Sequence, residues 1–238
     1  MIDYHCHILP QMDDGPDSIS ESLSLLRQSY QQGVEAMVST CHFYADEDYP
    51  KAFIQRRNAA FQRLQDAMLL QAEVYPLIVL GAEVLYFPGI SQAQDIELLA
   101  IGNRSTILIE PPMAPWSDTM LDEIAVLGEN LRCKPVIAHV DRFMNYLRDD
   151  RLIDRVLERE LLVQVNAEYF LNPKTVKSAV RNLKKGKIHL IGSDCHNLTS
   201  RCPNLGAARK QAKAFGTESE FTLLERNAEK LLFPKGIL

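Results

Sequence analysis

Three features that often define the class of a protein are missing from this sequence: a long apolar run, clustered positive charge and a disulfide framework. No stretch approaches the ~18 consecutive apolar residues that a membrane-spanning helix needs. Lys and Arg number 26 against 31 Asp and Glu, and the net charge is -5. Because the basic residues are scattered, a surface for nucleic acid is not expected. We predict neither membrane insertion nor nucleic-acid binding.

Cysteine is sparse and irregularly placed. The five cysteines are odd in number and have no framework spacing: Cys6, Cys41, Cys133, Cys195 and Cys202. Reduced thiols are the simplest interpretation of such a set. The printed sequence also opens without a charged, apolar and small-residue signal segment. The prediction is a cytoplasmic protein.

Short apolar runs alternate with longer amphipathic stretches along the chain. Continuous Val, Ile and Leu runs are typical of parallel strands that are buried on both faces. Seven strands are predicted, at 2–7, 36–40, 77–83, 106–110, 135–139, 162–166 and 188–193. Helices are predicted at 18–33, 49–73, 117–132, 149–159, 173–185, 204–215 and 218–231. Strict alternation predicts an α/β fold, and residues 1–238 are expected to form one domain.

The first predicted strand carries Asp3, His5 and His7 at alternate positions. Successive side chains of a strand point to opposite faces, so these three are expected to project to the same side. A carboxylate and two imidazoles on one face could bind a metal, although a short polar strand would give the same pattern. The metal interpretation depends on whether similar residues recur elsewhere.

Similar residues do recur, and they fall where the predicted strands end: His42, Glu83, Glu110, His139, Asp194 and His196. In a parallel barrel the carboxyl ends of all strands meet on one face, which is where barrel enzymes place their active sites. Unrelated polar residues would instead scatter over both ends and the helices. The positions therefore predict one polar site at that face.

Nine side chains make up the predicted ligand set: His5, His7, Asp14, His42, Glu83, Glu110, His139, Asp194 and His196. Carboxylates this close together cannot all stay charged and buried unless cations lie between them. Nine groups exceed the roughly four to six positions of a single ion. Two or three divalent metal ions are therefore predicted, and imidazole mixed with carboxylate suits Mn, Fe or Zn.

The candidate ligands lie in seven short motifs: Asp3-x-His5-x-His7, Asp13-Asp14-Gly15, Ser39-Thr40-Cys41-His42, Gly81-Ala82-Glu83, Leu108-Ile109-Glu110, Ile137-Ala138-His139 and Ser193-Asp194-Cys195-His196-Asn197. In order and spacing they resemble the polymerase and histidinol phosphatase family. Within it, the chain is similar to the bacterial capsule-type, manganese-dependent protein tyrosine phosphatases. The resemblance runs from Met1 to about Arg201. It implies a distorted, seven-stranded parallel (βα)7 TIM-like barrel, with Mn2+ as the metal.

The resemblance also implies how the ligands divide among three metals. One metal would be held by His5, His7, Glu83 and Asp194, a second by Glu83, Glu110 and His139, and a third by Asp14, His42 and His196. Arg142 and Arg201 match the phosphate-binding pair of the family. As ordinary surface arginines, the two could instead pair with acids such as Asp141 or Asp149. Asp3 and Asp13 are expected to orient a ligating imidazole or a backbone turn.

The implied activity is hydrolysis of phosphotyrosine on a protein, by attack of a metal-bridging hydroxide on phosphorus. The implied partner is an autophosphorylated bacterial tyrosine kinase of capsule or exopolysaccharide assembly. Two alternatives stay open: a small phosphoester such as histidinol phosphate or a nucleotide, and a metal-lined binding module without activity. Trp116 and Tyr169 could stack on an aryl substrate or simply pack a loop.

A cysteine mechanism is a rival interpretation, because Cys195 and Arg201 have the Cys-x5-Arg spacing of cysteine-dependent phosphatases. The residues between them include no glycine, which such a phosphate-binding loop would use. Cys195 also has the opposite parity to Asp194 and His196, so it should face the helices. We therefore expect the metals, and not a thiolate, to carry the chemistry.

Overall fold

Parallel strands alternate with helices along the chain, as predicted. In the computed structural model, which describes residues 1–234, the strands are β1 (Ile2–Cys6), β2 (Ala36–Ser39), β3 (His42–Phe43), β4 (Leu77–Leu80), β5 (Glu83–Leu85), β6 (Thr106–Glu110), β7 (Lys134–Ile137), β8 (Leu162–Asn166) and β9 (Leu190–Gly192). The helices are α1 (Ile19–Gln31), α2 (Pro50–Leu69), α3 (Asp118–Leu131), α4 (Val140–Leu147), α5 (Leu152–Leu157), α6 (Glu168–Leu171), α7 (Val176–Lys184), α8 (Leu205–Ala214) and α9 (Glu218–Leu232). Short 3-10 helices occupy Ile90–Gln92 and Ile96–Leu99.

Side-chain caps fix where two of the long helices begin. The Ser18 hydroxyl accepts the backbone N–H of Glu21 at the start of α1, at 3.2 Å. Ser117 accepts the N–H of Met120 at the start of α3, at 3.1 Å. Each cap satisfies a backbone donor that has no partner within its helix. These helices therefore begin within a few residues of the predicted positions.

The strands form two parallel sheets that meet where the last strand reaches the first. One sheet has the order β1-β2-β4 and the other β3-β5-β6-β7-β8-β9. Asp194 donates its backbone N–H to the carbonyl of His5 at 2.8 Å, and His7 donates to Cys195 at 2.9 Å. A Cβ on Gly192 would lie 2.5 Å from the His5 Cβ, so glycine permits this close approach. The contact places Asp194 beside His5.

The predicted count of seven strands is not confirmed, because one expected strand is interrupted and continues as a second, separate strand. The predicted strand 77–83 ends at Leu80, and a new strand begins at Glu83. At this break a Cβ on Gly81 would lie 2.6 Å from Cγ1 of Ile101. His42, expected in a loop, lies in the separate strand β3. As a result, β2 and β4 stay in the three-stranded sheet, while β3 and β5 join the six-stranded one.

The first strand is also irregular. Asp3 pairs with Met37 and Cys6 pairs with Ser39, so three steps along β1 match two along β2. Such an extra residue interrupts the alternation of side chains. The expectation that Asp3, His5 and His7 share one face is therefore wrong for Asp3. Its carboxylate accepts the backbone N–H groups of Ser193 (2.8 Å) and His5 (3.3 Å) instead.

Apolar side chains fill two clusters on opposite sides of the strands. The larger cluster packs the strands against the helices. The smaller cluster includes Tyr4, Leu108 and Leu190 from β1, β6 and β9, and Leu232 from α9. Tyr4 contacts Thr106 through their hydroxyl oxygens at 2.6 Å, although β1 and β6 are not neighbours in a sheet. This contact spans the inside of the curled sheets, so the smaller cluster is the inner core.

The helices differ from the predicted ones mainly after His139. The predicted helix 149–159 is observed only as α5, and α4 precedes it without having been predicted. The longest helix, α2, is amphipathic and packs one face against the core. Within residues 1–234 we find no helix that combines the length and apolar character needed to cross a membrane.

Candidate metal centre

All nine predicted ligands lie together; most lie at or after the carboxyl end of a strand, whereas His42 and Glu83 begin the short strands β3 and β5. Each has a ligand atom within 4.0 Å of a ligand atom of another member of the set. Most are buried, and Asp14 is the most exposed, at 60% of its side chain. The sequence therefore predicted correctly which residues converge.

Glu83 is at the centre of the cluster. Its Oε2 lies 3.1 Å from His5 Nε2, 3.2 Å from His7 Nε2 and 3.2 Å from His42 Nδ1. Its Oε1 lies 2.8 Å from His139 Nε2. Burial opposes ionisation, but the charge of His5 and hydrogen bonds from His139 and His5 outweigh it and hold the Glu83 pKa well below its usual range. A carboxylate surrounded by four imidazoles is suited to bridging cations.

Glu110 lies at the outer side of this centre, 3.4 Å from His139 Nε2 and 3.9 Å from His42 Nδ1. Burial and the neighbouring charge of Glu83 raise the pKa of Glu110 to about 7. Two carboxylates that share a poorly solvated site repel each other unless a cation lies between them. Both causes of the raised pKa, burial first and the Glu83 charge second, would be offset by a cation bound between the two carboxylates.

His7 is oriented by Asp13. The distance from His7 Nδ1 to Asp13 Oδ2 is 2.7 Å, and Asp13 also accepts the backbone N–H groups of His42 and Gly15, each at 3.0 Å. Burial opposes ionisation of Asp13, but the charge and hydrogen bond of His7 lower its pKa. Because Nδ1 donates to a carboxylate, Nε2 is the nitrogen left for a metal.

A second group of ligand atoms lies nearer to solvent. Asp14 Oδ1 is 3.0 Å from His196 Nε2 and 3.5 Å from His42 Nε2. The rings of His7 and His196 stack with their centroids 3.8 Å apart. Burial and the charge of His7 lower the pKa of His196 to about 3. The lowered pKa favours the neutral imidazole, which is the form that binds metals.

The arrangement fits divalent metals. Three sets have ligand atoms within 4.8 Å of one another: His7 with Asp14, His42 and His196; His5 with His7 and Glu83; and His42 with Glu83 and Glu110. The Nε2 atoms of His5 and His7 are 3.2 Å apart, near the separation of ~3.0–3.4 Å expected for two nitrogens that share an ion at ~2.1 Å. Although acidic oxygens lie close to them, two buried atoms among residues 1–234, His42 Nδ1 and His196 Nε2, make no hydrogen bond of acceptable geometry. Both atoms could therefore bind a metal.

The sets differ in several respects from those that the resemblance implies: His7 also joins the set of Asp14, and neither His139 nor Asp194 belongs to any of the three. His42 was expected only beside Asp14 and His196, yet its Nδ1 faces Glu83 and Glu110 while its Nε2 faces Asp14. His42 therefore lies between Glu83 and Glu110 on one side and Asp14 on the other. Asp194 is slightly further out, with Oδ1 3.6 Å from His5 Nε2.

Both predicted arginines lie at the mouth of the cluster. Arg201 donates to Asp194 Oδ1 at 2.8 Å and to Asp14 Oδ2 at 3.2 Å. Arg142 Nη1 is 3.9 Å from Asp194 Oδ2, and 46% of its side chain is exposed. Both arginines line a cavity of about 310 Å³ together with Asp194. Their acidic partners are the candidate ligands Asp14 and Asp194, not Asp141 or Asp149.

Aromatic residues at the site are not those that the sequence suggested. Trp116 and Tyr169 are buried; Trp116 packs against Phe143, and Tyr169 donates its hydroxyl to Ser178. Both therefore serve packing. Tyr44 is instead half-buried and stacks on His42, with centroids 5.4 Å apart and planes 19° apart. Its position two residues after His42 was the available signal, since both lie on one face of an extended segment.

The cysteine alternative is not supported by the structure. Cys195 and Cys6 are both fully buried, and burial raises the pKa of the Cys6 thiol well above its usual range. A nucleophilic cysteine needs an accessible thiolate. All five cysteines are free thiols, but neither of these two can reach a substrate at the arginines.

The whole chain resembles known proteins. A family model described as "Capsular polysaccharide synthesis, CpsB/CapC" matches residues 1–233. The tyrosine-protein phosphatase CpsB of Streptococcus agalactiae serotype III (strain NEM316) is 30% identical over 251 residues, covering 98% of each chain. The tyrosine-protein phosphatase YwqE of Bacillus subtilis (strain 168) is 29% identical over 243 residues, covering 98% of this chain and 91% of that protein.

Solved structures are also similar to this chain. One described as YwqE from Bacillus subtilis and CpsB from Streptococcus pneumoniae, "unique metal-dependent tyrosine phosphatases", has a TM-score of 0.82 and 25% identity, covering 100% of this chain and 96% of the other. D-hydantoinase from Thermus sp. shares the fold alone, with a TM-score of 0.60 and 11% identity over 98% of this chain and 71% of that chain. The resemblance predicted from the motifs is confirmed. The chain belongs to the CpsB/CapC family of capsular polysaccharide synthesis proteins.

Proposed function

We propose that this chain is a metal-dependent phosphatase that hydrolyses phosphotyrosine on a protein. The observation that carries the proposal is the convergence of nine imidazole and carboxylate side chains beside two partly exposed arginines. The relatives named tyrosine-protein phosphatases, which align over almost the whole chain, support phosphotyrosine as the substrate group.

Two or three divalent ions would be held by the nine residues described above, and Mn2+ is the ion we propose. Such ions, when bound, would lower the pKa of water and neutralise charge on a phosphoryl group. Carboxylate and imidazole ligands without thiolates suit Mn2+ and leave Fe or Zn as substitutes. The buried Glu83, which faces four imidazoles, is the residue we assign to bridging.

The arginines bind and orient the phosphoryl group in this proposal. Arg142 and Arg201 line one cavity beside Asp194 and present planar groups of N–H donors that match phosphoryl oxygens. Donors placed where negative charge develops in the transition state stabilise it strongly. Arg201 would exchange part of its contact with Asp14, which is 3.2 Å away and exposed, for the substrate.

The aryl leaving group suits this site. A tyrosine hydroxyl has a pKa near ~10, so it leaves with less protonation than an aliphatic alcohol would need. Tyr44, which stacks on His42 at the rim, offers an aromatic face next to the ligands. We assign Tyr44 to packing against the substrate ring.

The protein substrate we propose is an autophosphorylated bacterial tyrosine kinase of capsule or exopolysaccharide assembly, encountered in the cytoplasm. The capsular polysaccharide family match supports this setting, and the free thiols suit a reducing compartment. Incubating the protein with such a phosphorylated kinase, and following its phosphotyrosine by antibody, would test the partner. Persistent phosphotyrosine on the kinase, with a phosphotyrosine peptide hydrolysed in parallel, would contradict this partner only.

The function is tested by removing metal from the purified protein and restoring Mn2+. Three substrates are compared: a phosphotyrosine peptide, histidinol phosphate and a nucleotide. We expect hydrolysis only after Mn2+ is restored, and preference for the phosphotyrosine peptide. Failure on all three would contradict phosphatase activity and favour a binding role. Preference for a small phosphoester would contradict only the protein substrate.

A further inference from the structure

Strand β8 supplies none of the nine candidate ligands, yet it lies between the two strands that lead to His139 and Asp194. Its residue Gln164 is fully buried. A buried amide is costly unless all its polar atoms find partners. The partners of Gln164 therefore show what this strand contributes to the site.

Both ends of the Gln164 amide are engaged. Oε1 accepts the backbone N–H of His139 at 2.5 Å and faces Nδ1 of His5 at 3.3 Å. Nε2 donates to the carbonyl of Val165 at 2.8 Å and to Oδ1 of Asn166 at 3.1 Å. A backbone N–H can only donate, and a carbonyl can only accept, so the orientation of the amide is determined by its surroundings.

This orientation determines which nitrogen of His5 is free for a metal. Nδ1 faces an oxygen that can only accept, so Nδ1 carries a hydrogen. The nitrogen that can exchange its proton for a metal is therefore Nε2. That atom lies 3.1 Å from Glu83 Oε2 and 3.6 Å from Asp194 Oδ1, on the side of the cluster.

Gln164 also supports two residues with unusual backbones. His139 has a φ of 31° and Asp194 a φ of 53°, values that residues other than glycine rarely adopt. Gln164 holds His139 through its backbone N–H. Asn166, which accepts from Gln164, donates its Nδ2 to Asp194 Oδ2 at 3.0 Å. Gln164 thus reaches candidate ligands in or after three different strands: His5 and His139 directly, and Asp194 through Asn166.

We propose that Gln164 is a positioning residue of the metal site: it directs Nε2 of His5 toward the metals and, with Asn166, fixes His139 and Asp194. The proposal rests on the metal-dependent function proposed above. Gln164 would not touch metal or substrate. Its contribution comes from hydrogen bonds to the groups that do, as is typical of residues that orient metal ligands.

The first test measures Zn2+ affinity by competition with a chromogenic chelator. Gln164→Leu keeps the size of the side chain but removes its hydrogen bonds, so Zn2+ affinity should fall about 10- to 100-fold. Asn182→Leu is the matched control. Asn182 is buried and donates to Tyr169 at 3.0 Å, away from the ligands. It should lower the Tm and leave Zn2+ affinity unchanged.

The second test follows the Nδ1 hydrogen of His5 by NMR in Zn2+-loaded, 15N-histidine-labelled protein. In the wild type this hydrogen should exchange slowly with water, because Gln164 covers it. Gln164→Glu retains an acceptor and should keep the signal, whereas Gln164→Leu should lose it by exchange. A purely structural role would not distinguish the two variants in this way.

The outcomes separate the two claims. If the wild type binds Zn2+ and folded Gln164→Leu binds it within about twofold with the His5 signal intact, Gln164 has no positioning role. If the wild type binds no Zn2+, the metal-dependent function itself is wrong, and this proposal with it. Should Gln164→Leu not fold, Asn166→Ala decides: weaker Zn2+ binding supports the network, and unchanged binding overturns it.

Discussion

The Nδ1 atom of His7 lies 2.7 Å from Oδ2 of Asp13, and the same carboxylate accepts the backbone N–H of His42 at 3.0 Å. One side chain outside the ligand set thus holds two candidate ligands from different strands. The pair explains why Nε2 of His7 faces Glu83 and His5. It also provides the first prediction.

Replacing Asp13 with Asn should weaken metal binding about 10- to 100-fold, because His7 loses the charged acceptor that orients it. The change keeps the size of the side chain, so near-ultraviolet circular dichroism should stay like that of the wild type. Zn2+ competition measures the effect. Asp46→Asn, at an exposed acid, is the control and should bind Zn2+ normally. Equal affinity in both variants would show that His7 does not depend on Asp13.

Arg201→Ala should lower kcat/KM on a phosphotyrosine peptide by about 10²- to 10³-fold, since a donor to the developing charge is lost. Metal content should stay the same, and inhibition by inorganic phosphate should weaken. Arg148→Ala, at an exposed position after α4, should behave like the wild type. Loss of metal from Arg201→Ala would instead mean that its contacts with Asp194 and Asp14 are structural.

Tyr44→Ala should raise KM for an aryl phosphate about 2- to 12-fold, the factor that corresponds to an aromatic contact of about 0.5–1.5 kcal/mol. Tyr44→Phe retains the ring and should change KM little. Steady-state kinetics on phosphotyrosine and on an alkyl phosphate separate the two effects. The alkyl substrate should not distinguish the variants, and an equal loss on both substrates would exclude ring stacking.

Cys195→Ser should retain most of the Mn2+-restored activity, because the thiol is fully buried and cannot act as the nucleophile. The rate on a phosphotyrosine peptide, normalised to bound metal, is the measurement. A near-total loss of rate with metal binding unchanged would instead favour the cysteine mechanism.

The residues that meet at the site could be predicted from the sequence because of a general property of parallel strands. Their carboxyl ends lie on one face, so polar residues such as Glu110 and His139 at those ends converge whatever the details of the sheet. Convergence requires only approximate strand positions. The prediction therefore holds despite errors of two or three residues, as at Glu83, which begins a strand instead of ending one.

Irregular and non-local features could not be predicted in the same way. The extra residue in β1 that separates Asp3 from the cluster is set by pairing with β2 and β9, which no local pattern in β1 shows. The break at Gly81 depends on the approach of Ile101. Gln164 interrupts an apolar strand, but its partners lie 25 and 159 residues away along the chain, at His139 and His5.

The central claim is that Glu83 and the residues around it hold the metals that hydrolyse phosphotyrosine. Anomalous diffraction at the Mn absorption edge, from crystals grown with Mn2+ and phosphate, tests it most directly. We expect two or three peaks within the cluster, with Glu83 bridging two of them and phosphate held by Arg142 and Arg201. Mn2+ peaks elsewhere, or none among the nine residues, would contradict it.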